Sequence, residues 1–265
     1  IETVKRDIPL PASLGRICPS PCEKVCRRKQ HDEAVSICLL KRHVADVDLQ
    51  SDQPYSPTPA PKNGKRVAII GAGPAGLAAA YYLQLDGFDC TIFDERAEPG
   101  GMLRYAVTER NLPRDVLNRE IEQIARLGVT FRLRMRVGVA ILLDEIRQQF
   151  DAVFLATGEL KAGDADALGI DASSDGVKVD PRTGTTGIPG VFAGGDVVRK
   201  RRLAVRAVAD GKEVAESIRQ YLAGEPVVGP ARFFNSRMGK LEEGDMKPFL
   251  RGANSQPRAQ LSRPV

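Results

Sequence analysis

Tryptophan is absent from this chain of 265 residues, histidine occurs only twice, and the aromatic set is completed by five tyrosines and nine phenylalanines. So few rings leave little for bases to stack on, and no basic stripe is interleaved with aromatics. Nucleic acid is therefore not an expected partner, even at a net charge of +5. His31 and His43 form no pair with metal-ligand spacing, and no Ser-His-Asp or Cys-His arrangement points to nucleophilic catalysis, so no catalytic side chain is assigned. Long apolar runs are missing too. Glycine or charge interrupts each one well before the ~20 residues of a membrane span. Residues 1–20 lack the apolar stretch of a signal peptide. Membrane insertion is not expected, and the cytoplasm is the expected compartment. No repeat of 20–50 residues is visible.

Cysteine is scarce but clustered. Four of the five, Cys18, Cys22, Cys26 and Cys38, fall within 21 residues, a crowding that in a reducing compartment favours metal over disulfides. The spacing Cys-x3-Cys-x3-Cys-x11-Cys supplies four soft thiolates, as an iron–sulfur cubane requires; zinc sites more often show paired knuckles separated by a longer loop. Cys90, in Phe88-Asp89-Cys90-Thr91-Ile92-Phe93, reads as a small buried residue of a strand.

Residues 1–50 hold these cysteines and a helix around Ile37 to Val47, too little to fold without a staple. Residues 51–65, with prolines at 54, 57, 59 and 61, read as an extended linker. Residues 66–224 carry the periodicities of an α/β fold: a buried strand Arg66–Ile70, a glycine turn, a helix from Leu77 to Leu85 and a strand Asp89–Phe93, together a βαβ unit. A helix from Pro113 is stopped by Gly128, and Val129 to Arg136 alternates as a strand with one wet face. A short strand at Gly190–Ala193 and a long helix Ala204–Leu222 follow; residues 225–265 read as an extended tail.

The turn Gly71-Ala72-Gly73-Pro74-Ala75-Gly76 needs bare backbone at 71 and 73 to turn tightly and approach a pyrophosphate, while Gly76 lets helix pack on strand. Its context is that of a dinucleotide site. Asp94 lies 18 residues past Gly76 at the end of the next strand, where a carboxylate binds ribose hydroxyls, and Glu95 is the alternative. Gly194-Gly195-Asp196 suits a second contact in which Asp196 meets the ribityl chain of a flavin, or else caps its own helix.

These motifs, with Leu14-Gly15-Arg16-Ile17-Cys18-Pro19, Pro21-Cys22-Glu23, Cys26-Arg27-Arg28, Leu40-Lys41-Arg42, Glu98-Pro99-Gly100-Gly101-Met102-Leu103-Arg104-Tyr105, Leu112-Pro113-Arg114 and Ala156-Thr157-Gly158, resemble the small-subunit family of glutamate synthase, related to the N-terminal half of dihydropyrimidine dehydrogenase. The resemblance covers about Ile8 to Leu222. It implies a Rossmann-like FAD-binding domain of the two-dinucleotide-binding flavoprotein type, preceded by a small helical 4Fe-4S module. It also implies FAD held by Gly71, Gly73, Gly76, Asp94, Gly101, Met102, Leu112 and Asp196, with Gly158 closing over the adenine side. The same stretches add Pro74, Ala75, Gly100, Thr157 and Gly195. One 4Fe-4S cluster is implied at the cysteines, with Cys38 the better fourth ligand where relatives place Gln or Glu at the position of Lys41. The implied activity is a flavin-dependent oxidoreductase subunit that passes electrons between FAD and the cluster, its partners being other iron–sulfur or substrate-reducing subunits of a redox complex.

Three departures from the family pattern stand out. The upstream cysteine group of a second cluster is not in this sequence. Between Gly158 and Gly194 lie 35 residues, whereas an NAD(P)H-binding domain needs roughly 100 or more and its own glycine turn. Between 159 and 189 that domain is therefore either lost or omitted from the sequence, and NAD(P)H stays open as a third cofactor. The stretch Tyr105 to Asn111 replaces a segment that in the family usually reads Tyr-Gly-Ile-Pro-Glu-Tyr-Arg. The basic run Arg199-Lys200-Arg201-Arg202 reads as a solvated loop, or as a dock for an acidic partner. Two other readings of the whole chain remain: an NAD(P)H-oxidising subunit of glutamate synthase type, and a non-catalytic scaffold of the same fold.

Overall fold

The computed structural model describes residues 1–231, together with 244, 247–248 and 251–252. Four short helices form the cysteine module: α1 (Glu2–Lys5), α2 (Pro11–Ile17), α3 (Pro21–Lys24) and α4 (Ile37–Gln50), the last running one turn beyond the expected Val47. Proline opens both α2 and α3, where its missing N–H costs nothing. Helices α2 and α4 cross so closely at Gly15 that a Cβ there would lie 2.7 Å from the Arg42 Cβ, and Arg16 clamps the crossing through a bidentate pair with Asp46 at 2.7 and 3.0 Å.

The main body opens with β1 (Arg66–Ile70), α5 (Pro74–Leu85) and β2 (Asp89–Phe93), both strands with the bounds read from the sequence. Next come α6 (Met102–Tyr105), α7 (Arg114–Arg126), β3 (Thr130–Arg132), α8 (Leu143–Gln149) and β4 (Ala152–Leu155). Then α9 (Asp164–Leu168), a small antiparallel pair β5 (Ala172–Ser173) and β6 (Gly176–Val177), β7 (Val191–Ala193) and α10 (Ala204–Leu222) complete the fold. The main sheet is wholly parallel in the order β3-β2-β1-β4-β7. Alternation divides its core: Val67 and Ile69 of β1 face the layer of α5, α7 and α10, while Ala68 and Ile70 face α8 and α9.

The expected strand Val129–Arg136 pairs with its neighbour only over Thr130–Arg132. Its alternation of burial persists to Val137, but Arg134 takes a left-handed φ of 57° and carries the chain back across the end of β2, where the Arg134 and Met135 N–H groups donate to Arg96 O and Asp94 O. Cys90 is buried in β2, as expected.

Residues 51–65 form neither helix nor strand but are fastened: the Ala60 and Asn63 N–H groups donate to Leu85 O and Gly87 O. Two buried groups tie the cysteine module to α7. Lys5 Nζ lies 3.1 Å from Asp48, 2.9 Å from Tyr55 O and 2.7 Å from Gln123 Oε1, and the Glu120 carboxylate accepts the Ala12 and Ser13 N–H groups. These contacts supply the staple that the small module needs. After α10, the Gln220 amide brackets Val228 and Gly229; the tail beyond residue 231 falls almost entirely outside the described residues.

Candidate functional site

A cavity of about 690 Å³ lies across the carboxyl ends of β2, β1, β4 and β7, which in a parallel sheet is where ligands bind. Reaching from Asp94 after β2 to Asp196 after β7, it crosses three strand spacings, about 14 Å, a length suited to an extended dinucleotide. Its volume falls within the usual span of cofactor sites.

The glycine turn builds its floor. Gly71 has φ of +115°, and a Cβ there would meet Ala156 O at 2.3 Å; a Cβ on Gly76 would meet Gly71 O at 1.9 Å. Both glycines therefore serve the fold itself. Gly73 differs: its backbone is ordinary, with φ of −81°, and the nearest atom to an added Cβ is the Gly101 Cα at 3.9 Å. It leaves bare backbone beside the cavity at the start of α5, whose first turn no side chain caps. A pyrophosphate fits that cradle, taking the free N–H groups and the positive end of the helix.

Of the expected cofactor residues, Gly71, Gly73, Pro74, Ala75, Asp94, Glu95, Gly101, Met102, Thr157, Gly158 and Asp196 all line the cavity. Four do not. Gly76 packs behind the turn, and Gly100 is buried with its N–H donating to Ala72 O. Leu112 is fully buried in the core, and Gly195 is tucked against Asp210, which accepts its N–H at 3.2 Å.

Asp94 braces the site from within. Its carboxylate accepts the Ala72 N–H at 2.6 Å and the Arg96 N–H at 2.8 Å, locking the glycine turn to the end of β2. Glu95 is the exposed carboxylate beside it, 3.7 Å from Arg136 Nε. Asp196 holds the basic run: its Oδ1 accepts the Arg201 and Arg202 N–H groups at 3.1 and 3.2 Å. Lys200 and Arg202 then both reach Glu159, whose carboxyl they hold below its ordinary range, Lys200 most strongly. Residues 199–202 are thus a tethered loop beside the cavity, with Arg202 among its lining. Arg96, Met135, Arg136, Glu159 and Arg202 also line it, residues that sequence reasoning missed because loops bring them there without any local motif.

Cys18, at the C-terminus of α2, lines the same cavity with Pro19, Leu14 and Ile17. Cys38 is buried in α4; burial above all raises its pKa, and its side chain meets those of Ser20 and Cys18. The Cys26 thiol sits below its ordinary pKa because backbone N–H groups, chiefly that of Val35, point at it, which favours a thiolate. Cys22 is exposed on α3. The buried Glu23 accepts the Cys38 N–H at 2.9 Å and so ties α3 to α4. Four soft sulfurs fit an iron–sulfur cluster in kind, and Cys18 and Cys38 are already side by side. Among the described residues, however, no three His, Cys, Asp or Glu side chains converge as metal ligands would. His31 and His43 are exposed.

Comparison with known proteins follows the same division. Residues 1–53 match the family described as dihydropyrimidine dehydrogenase domain II, 4Fe-4S cluster; residues 69–122 match the NAD(P)-binding Rossmann-like domain; residues 106–211 match pyridine nucleotide-disulphide oxidoreductase. The NADPH-Fe(3+) oxidoreductase subunit beta of Geobacter sulfurreducens is 41% identical over 180 residues, 67% of this chain and 26% of that protein. The NADP(+)-dependent formate dehydrogenase subunit beta of Moorella thermoacetica is 43% identical over 60% of this chain and 25% of its own length. The glutamate synthase [NADPH] small chain of Bacillus subtilis is 36% identical over 62% of this chain and 33% of its own. The chain therefore spans a quarter to a third of the length of these relatives. From its cysteine module through its glycine turn to Asp196, the chain is thus similar to the small chain of glutamate synthase and to the 4Fe-4S and pyridine nucleotide oxidoreductase families.

Proposed function

We propose that this chain is the electron-transfer part of a flavin-dependent oxidoreductase complex, passing electrons between FAD in the sheet-end cavity and a 4Fe-4S cluster held by Cys18, Cys22, Cys26 and Cys38. The observation that carries this reading is the shared wall: Cys18 lines the same cavity as Gly73 and Asp196. The two cofactors supply complementary chemistry, FAD exchanging electrons in pairs and a cluster exchanging them singly.

The chain's own residues bind and orient. The start of α5 and Gly73 receive the pyrophosphate, and Asp94 keeps the turn in register while the exposed Glu95, between Arg96 and Arg136, is the carboxylate within the cavity lining that meets a ribose. Met102, Tyr105, Val107 and Leu203 line the cavity with apolar surface, much of it exposed, that a bound ring system would cover. Residues 159–189 fold as one short helix and a two-residue-strand hairpin, not as a second dinucleotide domain, which favours electrons arriving from a partner subunit. The partners, the cytoplasmic location and the division into 1–50, 51–65, 66–224 and 225–265 belong to this same reading. Among the described residues no helix is long and apolar enough to cross a membrane.

The test is an anaerobic visible spectrum of the purified chain with iron and flavin quantified, followed by addition of NADH or NADPH. Flavin bands over a broad iron–sulfur shoulder, unbleached by either nucleotide, are the expected result. Prompt bleaching would make the chain a nicotinamide-oxidising reductase in its own right, the activity named in its NADPH-linked relatives. A colourless protein would sink both and leave a scaffold.

A further inference from the structure

One buried carboxylate takes no part in the cavity or the cysteine cluster. Glu120 belongs to α7 of the nucleotide-binding body and is 1% exposed, yet its two oxygens accept the Ala12 and Ser13 N–H groups of α2 at 2.6 and 2.8 Å, across more than 100 residues of sequence. These are the opening residues of the helix whose other end is Ile17–Cys18 on the cavity wall. Helix α2 is about 10 Å long and is held at its first turn by Glu120 and at Gly15 by the crossing with α4. Its direction, and so the place of Cys18, is set by these two points.

We propose that Glu120 is the positioning residue for the cysteine module, fixing α2 so that Cys18 faces the flavin cavity. This assignment rests on the electron-transfer reading above for its purpose, but not for its geometry. A buried carboxyl serves here because two adjacent N–H donors need two acceptors in one fixed fork, and each would be costly to leave unmade. The groups that face or neighbour it are Lys5 from α1, Asp48 from α4 and Gln123 from α7, joined through the Lys5 ammonium; Val116 and Ala12 pack close by. Burial pushes the Glu120 carboxyl up to about 7, against the pull of the Ser13 and Ala12 groups and of Lys5.

The experiment compares Glu120→Gln and Glu120→Met with wild type in the cofactor-loaded protein at pH 6, where all three side chains are largely uncharged. What changes is then acceptor capacity: the protonated carboxyl keeps its carbonyl oxygen and a weakly accepting hydroxyl oxygen, Gln keeps only the carbonyl, and Met has neither. Amide hydrogen exchange is read at Ala12, Ser13 and Cys18, whose N–H donates to Leu14 O at the far end of α2. Exchange is expected to quicken about 10- to 100-fold in Glu120→Met at all three, with Glu120→Gln between. The cluster's midpoint potential shifts as well, because Cys18 moves with the end of α2. Faster exchange confined to Ala12 and Ser13, with an unchanged potential, would make Glu120 a local cap and overturn the assignment. Should Glu120→Met not fold, Glu120→Gln carries the test alone: exchange at Cys18 as slow as in wild type overturns the assignment. A wild-type protein without iron or flavin would count against the electron-transfer reading, whereas exchange along α2 is read on the polypeptide alone.

Discussion

Gly73 and Gly76 stand three residues apart in one turn, and replacing each by alanine separates cofactor binding from folding. At Gly76 the new Cβ would lie 1.9 Å from Gly71 O and 3.1 Å from Ile69 Cγ2, so the backbone of the turn itself must move against the end of the central strand. Such overpacking costs about 3 kcal/mol or more, which lowers Tm by about 10 °C for a domain of this size. At Gly73 the backbone is one that any residue adopts, and the new Cβ has 3.9 Å of clearance. Alanine there leaves the cofactor-free fold intact, or stabilises it by up to about 1 kcal/mol by restricting the unfolded chain. Binding is another matter, since that Cβ covers the bare backbone a pyrophosphate must approach. Losing two charge-assisted hydrogen bonds of about 1.5 kcal/mol each weakens FAD about 100-fold. Circular-dichroism melting of both cofactor-free variants, with FAD titration followed by quenching of flavin fluorescence, measures the two effects. A Gly73→Ala protein that keeps wild-type affinity, or that melts as low as Gly76→Ala, would refute the reading.

Three further outcomes are expected. Because the folded state raises the Glu120 carboxyl from 4.5 to about 7, its stabilising share is fully present below pH 4.5 and is lost as pH rises through 7; urea midpoints should fall by the equivalent of about 3 kcal/mol between pH 5 and 8, and Glu120→Gln should flatten that slope. Lys5→Met strands Asp48 without its buried partner and should destabilise the module by about 3 kcal/mol or more, read as loss of protection in α4 by hydrogen exchange. Cys18→Ser and Cys38→Ser should each lower bound iron to near zero while flavin is retained, and equal loss of flavin would mean that the cysteines serve only the fold.

Where local chemistry decides the structure, the chain could be read in advance. Arg66–Ile70 and Asp89–Phe93 are short aliphatic runs bounded by a glycine turn, and Ala204–Leu222 has helical periodicity with Gly224 to end it, so their bounds agree with the structure residue for residue. Thr130–Arg132 is the counterexample: alternation reports which side chains are buried, not where a ladder stops, and the stop comes from a left-handed Arg134 bonded to Arg96. The site divides in the same way. Glycines needed for close approach were visible because only glycine fits, whereas Arg202, Arg136 and Met135 reach the cavity through loops that follow no period. Asp94 and Asp196 both line the cavity, but their backbone partners at Ala72, Arg96, Arg201 and Arg202 do not follow from spacing. Glu120 carries no signal in the sequence at all, since its partners lie more than 100 residues away.

Strands β4 and β7 are hydrogen-bonded neighbours, so the chain leaves the sheet at Leu155 and returns at Val191 only one strand spacing away, about 4.8 Å. A path whose two ends are pinned side by side behaves as a socket. What is threaded through it, a short hairpin or a unit four times as long, changes the closure cost by only about 1 kcal/mol. The sheet needs no new register, and the cavity keeps its floor. Gain or loss of an inserted unit at that socket is thus thermodynamically almost silent for the parallel sheet.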